Sequence, residues 1–209
     1  MNDFVWLLYW KCRESELNPE LPVKIKLSTT IEQEWSLEIE LKGTAIENSF
    51  RFDASFFDEW GVFMHCQTLN GTFKGVCRRS KVIELIRLFR ESVQHCFDIN
   101  PVVNLFDMSD CSFVYLLDWY IKECDKKYQG EIWLQTLSET SWGLSIDLRN
   151  SLIEGKNFSR VENRKDDYDW YVCELQAGKF VAETGLLNLP DALEAFRSFT
   201  GESVENSDK

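Results

Sequence analysis

The feature that most constrains this chain is an internal duplication. The segment Ile25-Lys26-Leu27-Ser28-Thr29 is matched by Ile132-Trp133-Leu134-Gln135-Thr136. The segment Trp35-Ser36-Leu37-Glu38-Ile39-Glu40-Leu41-Lys42 is matched by Trp142-Gly143-Leu144-Ser145-Ile146-Asp147-Leu148-Arg149. The spacing is 107 residues and persists downstream, where Cys66, Gly71, Phe73, Phe89 and Arg90 fall on Cys173, Gly178, Phe180, Phe196 and Arg197. Upstream it widens to 109, pairing Phe4-Val5, Leu7-Leu8, Trp10 and Glu14 with Phe113-Val114, Leu116-Leu117, Trp119 and Glu123. Apolar alternation can imitate one strand match. It would not also hold Trp, Cys, Gly and Phe in register over a whole unit. One supersecondary unit was built twice, so the fold is read copy by copy.

Each copy opens with a helix. In the second, Phe113, Leu116, Leu117 and Tyr120 recur at i, i+3, i+4 and i+7, with Ser109 or Asp110 placed to cap it. Strands follow. Trp142, Leu144, Ile146 and Leu148 alternate with Gly143, Ser145, Asp147 and Arg149, and the first copy does the same around Trp35, Leu37, Ile39 and Leu41. A polar connection leads to a hairpin, 61–69 with 72–77 and 169–176 with 179–183, turning at Asn70-Gly71 and Ala177-Gly178. A closing helix carries Val82, Ile83, Ile86, Phe89 and Val93, or Leu189, Ala192, Leu193 and Phe196 with Pro190 near its start. The order predicts an α+β fold of two tandem repeats, each an antiparallel four-stranded sheet flanked by an N-terminal and a C-terminal helix. The first repeat spans 1–97, a linker 98–110, the second repeat 111–200, and a polar tail 201–209.

Composition bounds the function. The formal charge is −12, with 15 acids against 12 bases in residues 1–100 and 20 against 11 in residues 101–209. A chain so charged has no broad basic face for nucleic acid, and suits a basic protein partner. No apolar run is long enough to span a membrane. The opening Met1-Asn2-Asp3-Phe4-Val5-Trp6-Leu7-Leu8-Tyr9-Trp10 lacks the basic region and cleavage site of a secretory signal and reads as a buried helix. The seven cysteines are odd in number, scattered and free of CxxC pairs, which points to core thiols in a reducing cytoplasm rather than disulfides or zinc.

Nothing in the sequence assembles a catalytic or metal constellation, and no cofactor motif appears. His65 and His95 have no ligand-spaced partners, and the second copy has no His at all. Cys66 and Cys173 occur in both copies, but a nucleophilic thiol needs a base beside it. Two charged stretches remain. Glu162-Asn163-Arg164-Lys165-Asp166-Asp167-Tyr168-Asp169 precedes the second hairpin, and Asp53-Ala54-Ser55-Phe56-Phe57-Asp58-Glu59 is its counterpart. Acids among aromatic rings are interface material, charge giving steering and rings giving anchors. The candidate partner-binding residues are Glu162, Asp166, Asp167, Tyr168, Asp169, Asp58 and Glu59. Arg78-Arg79-Ser80-Lys81 reads as a salt-bridged turn, with a small anion site as the alternative.

The second copy, over 113–199, resembles a bacterial polymorphic-toxin immunity protein family, the one numbered fifty-three. The resemblance is carried by Leu116-Leu117-Asp118-Trp119-Tyr120, Cys124-Asp125, Glu131-Ile132, Gln135-Thr136-Leu137, Trp142, Ile146-Asp147-Leu148, Asp169-Trp170-Tyr171-Val172-Cys173, Gly178-Lys179-Phe180 and Asn188-Leu189. The first copy resembles a diverged version that keeps the hydrophobic frame and Trp35. The chain has Lys126-Lys127-Tyr128 where the family carries Trp-Glu-His, and Glu139-Thr140-Ser141 where it carries Asn-Pro-Gly. The resemblance implies a small cytoplasmic antidote that blocks a cognate toxin by binding, a basic toxin such as a nuclease suiting the acidic surface. Two other readings are a regulatory module with a small ligand between the repeats, and an enzyme using carboxylate or Cys chemistry. Monomer and dimer are equally compatible with the sequence.

Overall fold

The computed structural model describes residues 2–96, 111–126 and 128–201. The expected linker at 98–110, the Ser109 or Asp110 cap and all of the polar tail after Gly201 lie outside them. The chain divides into two compact units, residues 1–110 and 111–209. The first runs α1 (Asp3–Leu17), β1 (Ile25–Thr29), β2 (Trp35–Glu40), β3 (Asp53–Asp58), β4 (Gly61–Leu69), β5 (Thr72–Cys77) and α2 (Val82–Cys96). The second runs α3 (Cys111–Cys124), β6 (Ile132–Ser138), β7 (Ser141–Asp147), β8 (Val161–Arg164), β9 (Trp170–Gln176), β10 (Lys179–Gly185) and α4 (Leu189–Gly201).

Within the first unit the strand order is β3-β4-β5-β2-β1, and within the second it is β8-β9-β10-β7-β6, every intra-unit pairing being antiparallel. With β8 for β3, β9 for β4, β10 for β5, β7 for β2 and β6 for β1, one sheet repeats the other. The architecture is the expected α+β helix–sheet–helix. Each sheet has one strand more than the four expected, because part of the polar connection, 53–58 or 161–164, pairs along the edge of the hairpin. Its side chains are mostly exposed on both faces, so it shows none of the alternation by which a half-buried strand is recognised.

Local signals explain the element ends. Asn2 caps α1 by accepting the Val5 N–H through its side chain at 2.8 Å. The hairpin turns at Asn70-Gly71 (φ +51° and +74°) and Ala177-Gly178 (φ +49° and +78°) have two successive left-handed residues, the pattern that matches strand twist.

Each core is an aromatic stack under one sheet face, and the two cores superimpose in kind. Trp10 of α1 meets Phe89 of α2 edge-on at 5.1 Å, and Trp119 of α3 meets Phe196 of α4 edge-on at 5.1 Å. Phe89 lies 5.0 Å from Phe73 of β5, and Phe196 lies 5.2 Å from Phe180 of β10. Leu37, Ile39, Leu144 and Ile146 floor these stacks, fully buried. Burying each large apolar side chain contributes about 1.5–3 kcal/mol, so these rings are the main reason each unit holds.

A polar device is duplicated with the core. Glu14 of α1 is buried and accepts the Ala45 N–H at 2.9 Å, and Glu123 of α3 accepts the Leu152 N–H at 2.9 Å. The loop each one holds is also the same bond for bond. Gly43 and Asn150 donate their N–H to Glu47 and Glu154, and the hydroxyls of Thr44 and Ser151 donate to the Leu41 and Leu148 carbonyls. A buried carboxylate needs donors, and each glutamate finds one in the loop amide while pinning that loop to the helix.

Candidate functional site

The sequence-predicted residues sit on the outer hairpin of each unit, β3–β4 in the first and β8–β9 in the second. In the second, residues 165–169 form a tight turn. Lys165 and Asp166 donate backbone N–H groups to the Asp169 carbonyl at 2.9 and 3.4 Å. The Asp166 carboxylate accepts from the Tyr168 and Asp169 amides, both at 2.7 Å. Asp169 forms an ion pair with Lys165 at 2.9 Å and accepts from the Asn188 side chain at 2.9 Å. Lys165 first, and Asn188 second, hold the Asp169 carboxyl below the usual carboxylate range, and Asp169 holds the Lys165 ammonium above its ordinary value. The same Asn188 accepts the Trp170 N–H at 3.0 Å, tying the turn to the start of α4. Gly185 lies so close beneath that a methyl group there would overlap the Tyr168 carbonyl.

Two of the predicted acids, Asp166 and Asp169, are therefore spent on building the turn. What the turn displays is Asp167 and Tyr168, the latter 63% exposed. Trp170 is held from two sides, its indole N–H donating to the Asp167 carbonyl at 3.1 Å and the Arg164 guanidinium lying 4.8 Å over its ring. Glu162 pairs with Arg160 at 2.9 Å on β8.

The first unit builds its tip differently. Asp58 accepts the Trp60 N–H at 2.8 Å and pairs with Arg78 at 2.7 Å, while Arg78 also donates to the Trp60 carbonyl at 2.9 Å. Gly61, at φ +102°, permits the reversal. This small frame holds apolar side chains out in solvent, Phe57 at 68% exposure and Trp60 at 77%, with Val62 beside them. Lone exposed apolar residues are ordinary, but two large rings on one tip are the mark of a contact surface. Trp60 was not among the predicted residues. A Trp between an acid and a Gly in a two-residue turn is the signal that identifies it.

The other candidates resolve simply. His65 bonds through Nδ1 to the Ser55 hydroxyl at 2.9 Å across β3 and β4, and the His95 side chain lies outside the described residues. Cys66 and Cys173 are fully buried, and burial pushes both thiols up to about 12. Arg78 and Lys81 are taken by Asp58 and Glu84, so the basic stretch is a salt-bridged turn. No group of three or more His, Cys, Asp or Glu that could hold a metal occurs among the described residues. No helix among them is long and apolar enough to cross a membrane. A cleft of about 560 Å³ lies in the second unit between α4 and residues 157–161. Its acids are already engaged, Asp191 with Asn188 and Glu194 with Ser112 and Arg197.

A family model described as Immunity protein 53 matches the chain twice, over residues 4–94 and again over 113–201. No curated protein matches, and no solved structure does.

Proposed function

Because the chain belongs to the immunity protein 53 family through both of its repeats, we propose that it is an antidote that binds one cognate bacterial toxin in the cytoplasm and blocks it without turnover. The observation that carries this reading is the outer hairpin, where each unit displays rings beside acids on a tip locked by its own hydrogen bonds. Pre-ordered tips lose little entropy on binding, and rings with nearby charge suit a tight, specific contact. Of the residues assigned to the interface, Asp58, Asp166 and Asp169 shape the tips, Glu162 flanks the second, and Glu59, Asp167 and Tyr168 face the partner. With a net charge of −12 the chain favours a basic toxin, of which a nuclease is one kind.

The test is to recover the protein that co-purifies with this chain from its native host, co-express the two, and measure binding of the purified pair. The expected result is restored growth and a long-lived complex. Capture should slow at least about tenfold as salt rises from about 0.05 M to about 0.5 M, since steering between unlike charges is screened. Failure to protect cells from that toxin, or to bind it, removes the reading.

A further inference from the structure

We infer that the outer edge of the first unit's sheet, strand β3, is a pairing site that takes an extended, cationic segment of the partner as an added strand. The inference rests on the toxin-binding reading above and says which repeat binds and how.

Strand β3 ends its sheet, and no strand among the described residues pairs with its other side. Its hydrogen-bond phase follows from its partner. Phe52 accepts the Thr68 N–H at 2.7 Å, and the register places Ala54 opposite Cys66 and Ser55 opposite His65. Bonded and non-bonded pairs alternate in an antiparallel ladder, so the backbone groups of Ala54 face β4 while those of Asp53 and Ser55 face outward. The Ser55–His65 side-chain bond fits this, since non-bonded pairs bring side chains closest.

An open edge is a template for another strand, and proteins normally blunt it with charge, shortness or proline. The second unit does so. Strand β8 has four residues, two of them Glu162 and Arg164, with Arg160 just before it and Lys165 just after. Strand β3 has six, with no charge between Asp53 and Asp58 and no proline. Phe57 near its end and Trp60 just past it are the rings that would clamp an incoming chain.

Charge selects the occupant. A second copy would bring its own Asp53 and Glu59 to the same seam, and like charges there disfavour self-pairing. Asp53 and Glu59 flank this edge, Asp58 between them being paired with Arg78, and favour a foreign strand flanked by Lys or Arg.

The experiment is amide hydrogen exchange on the full chain, free and saturated with the toxin recovered by co-purification. The Asp53 and Ser55 amides should exchange at least about tenfold more slowly in the complex, and those of Glu162 and Arg164 should not change. Ser55→Pro removes one outward N–H while sparing the ladder to β4, and should weaken binding at least about tenfold. Glu162→Pro, the matched change in β8, should leave binding intact. If Ser55→Pro does not fold, the exchange measurement on the unaltered chain decides alone. Protection confined to β8, or wild-type affinity in folded Ser55→Pro, overturns the assignment and leaves the antidote reading standing. Protection of β3 by concentration alone, without toxin, overturns it in favour of a second copy. No binding of the toxin at all removes both.

Discussion

Trp10 and Phe89 meet edge-on at 5.1 Å in the first repeat, and so do Trp119 and Phe196 in the second. Glu14 and Glu123 each send a carboxylate to one loop amide at 2.9 Å. On the helix pair just outside that core the likeness ends. Asp3 of α1 pairs with Arg87 and Arg90 of α2, at 3.1 and 2.8 Å. At the matching places the second repeat has the Ser112 hydroxyl donating to Glu194, which in turn pairs with Arg197. On the outer hairpin both tips set rings beside acids but build them differently, Trp60 on a frame of Asp58 and Arg78 against a turn made by Asp166 and Asp169. Duplication preserved what the interior requires and released what faces water. Close packing tolerates few exchanges, whereas a solvated position tolerates most of them.

The comparison can be broken most easily at the matched phenylalanines. Phe89 touches four rings, Trp6, Trp10, Phe50 and Phe73, whereas Phe196 touches Trp119 and Phe180. Phe89→Ala should cost about 5 kcal/mol and Phe196→Ala about 3 kcal/mol, read by urea unfolding. Equal costs would mean that ring count is not what separates the two cores.

The buried glutamates should come next. Glu14→Ala and Glu123→Ala each strand a loop amide, and each should cost about 2–3 kcal/mol. Glu→Gln keeps an acceptor, and should cost less than half as much at either site. A large loss in only one repeat would show that the shared bond holds only one of the two loops.

The smallest effect is a difference in acid response. Asp147 of β7 is held below its ordinary 3.8 mainly by hydrogen bonds from Arg149. Its pKa is depressed by folding, so the stability it contributes is complete above about 4 and is lost as pH falls through the lower folded value. Asp147→Asn should therefore flatten the acid limb of the second repeat's stability and leave its neutral stability lower. The matching residue in the first repeat is Glu40, half-buried, which pairs instead with the exposed Lys24 at 3.1 Å. Carboxyl-carbon titration by NMR reads Asp147 directly, and a midpoint at or above 3.8 would contradict the Arg149 account.

Most of the fold was legible because periodicity and duplication reinforce each other. Alternation around Trp35 predicted a half-buried strand and Asn70-Gly71 and Ala177-Gly178 predicted the turns, all of which the structure has; the strand around Trp142 is there too, but Gly143, Ser145 and Asp147, expected on a wet face, are buried as well. The edge strands were not legible. Asp53–Asp58 and Val161–Arg164 carry no two-residue rhythm, since an edge strand exposed on both faces has no burial to write into its sequence. The acidic stretches were visible as charge, but their division of labour was not. Asp166 looks like Asp167 in a sequence, and only the turn assigns one to two backbone amides and the other to solvent.

By itself, then, the sequence determined that one helix–sheet–helix frame occurs twice, which residues fill its interiors, and that the family is one of immunity proteins. The first two follow from local rules, since side chains repeat with the period of their element and a packed core admits few alternatives; the family follows from the match of both repeats to its model. The tertiary structure alone decided which acids are structural, that Trp60 stands in water on a tip held by Arg78, and that among the described strands β3 and β8 each pair on one side only. Those facts depend on which distant groups meet, Asp58 with Arg78 and Asp169 with Asn188, and such meetings leave no mark on the order of neighbouring residues.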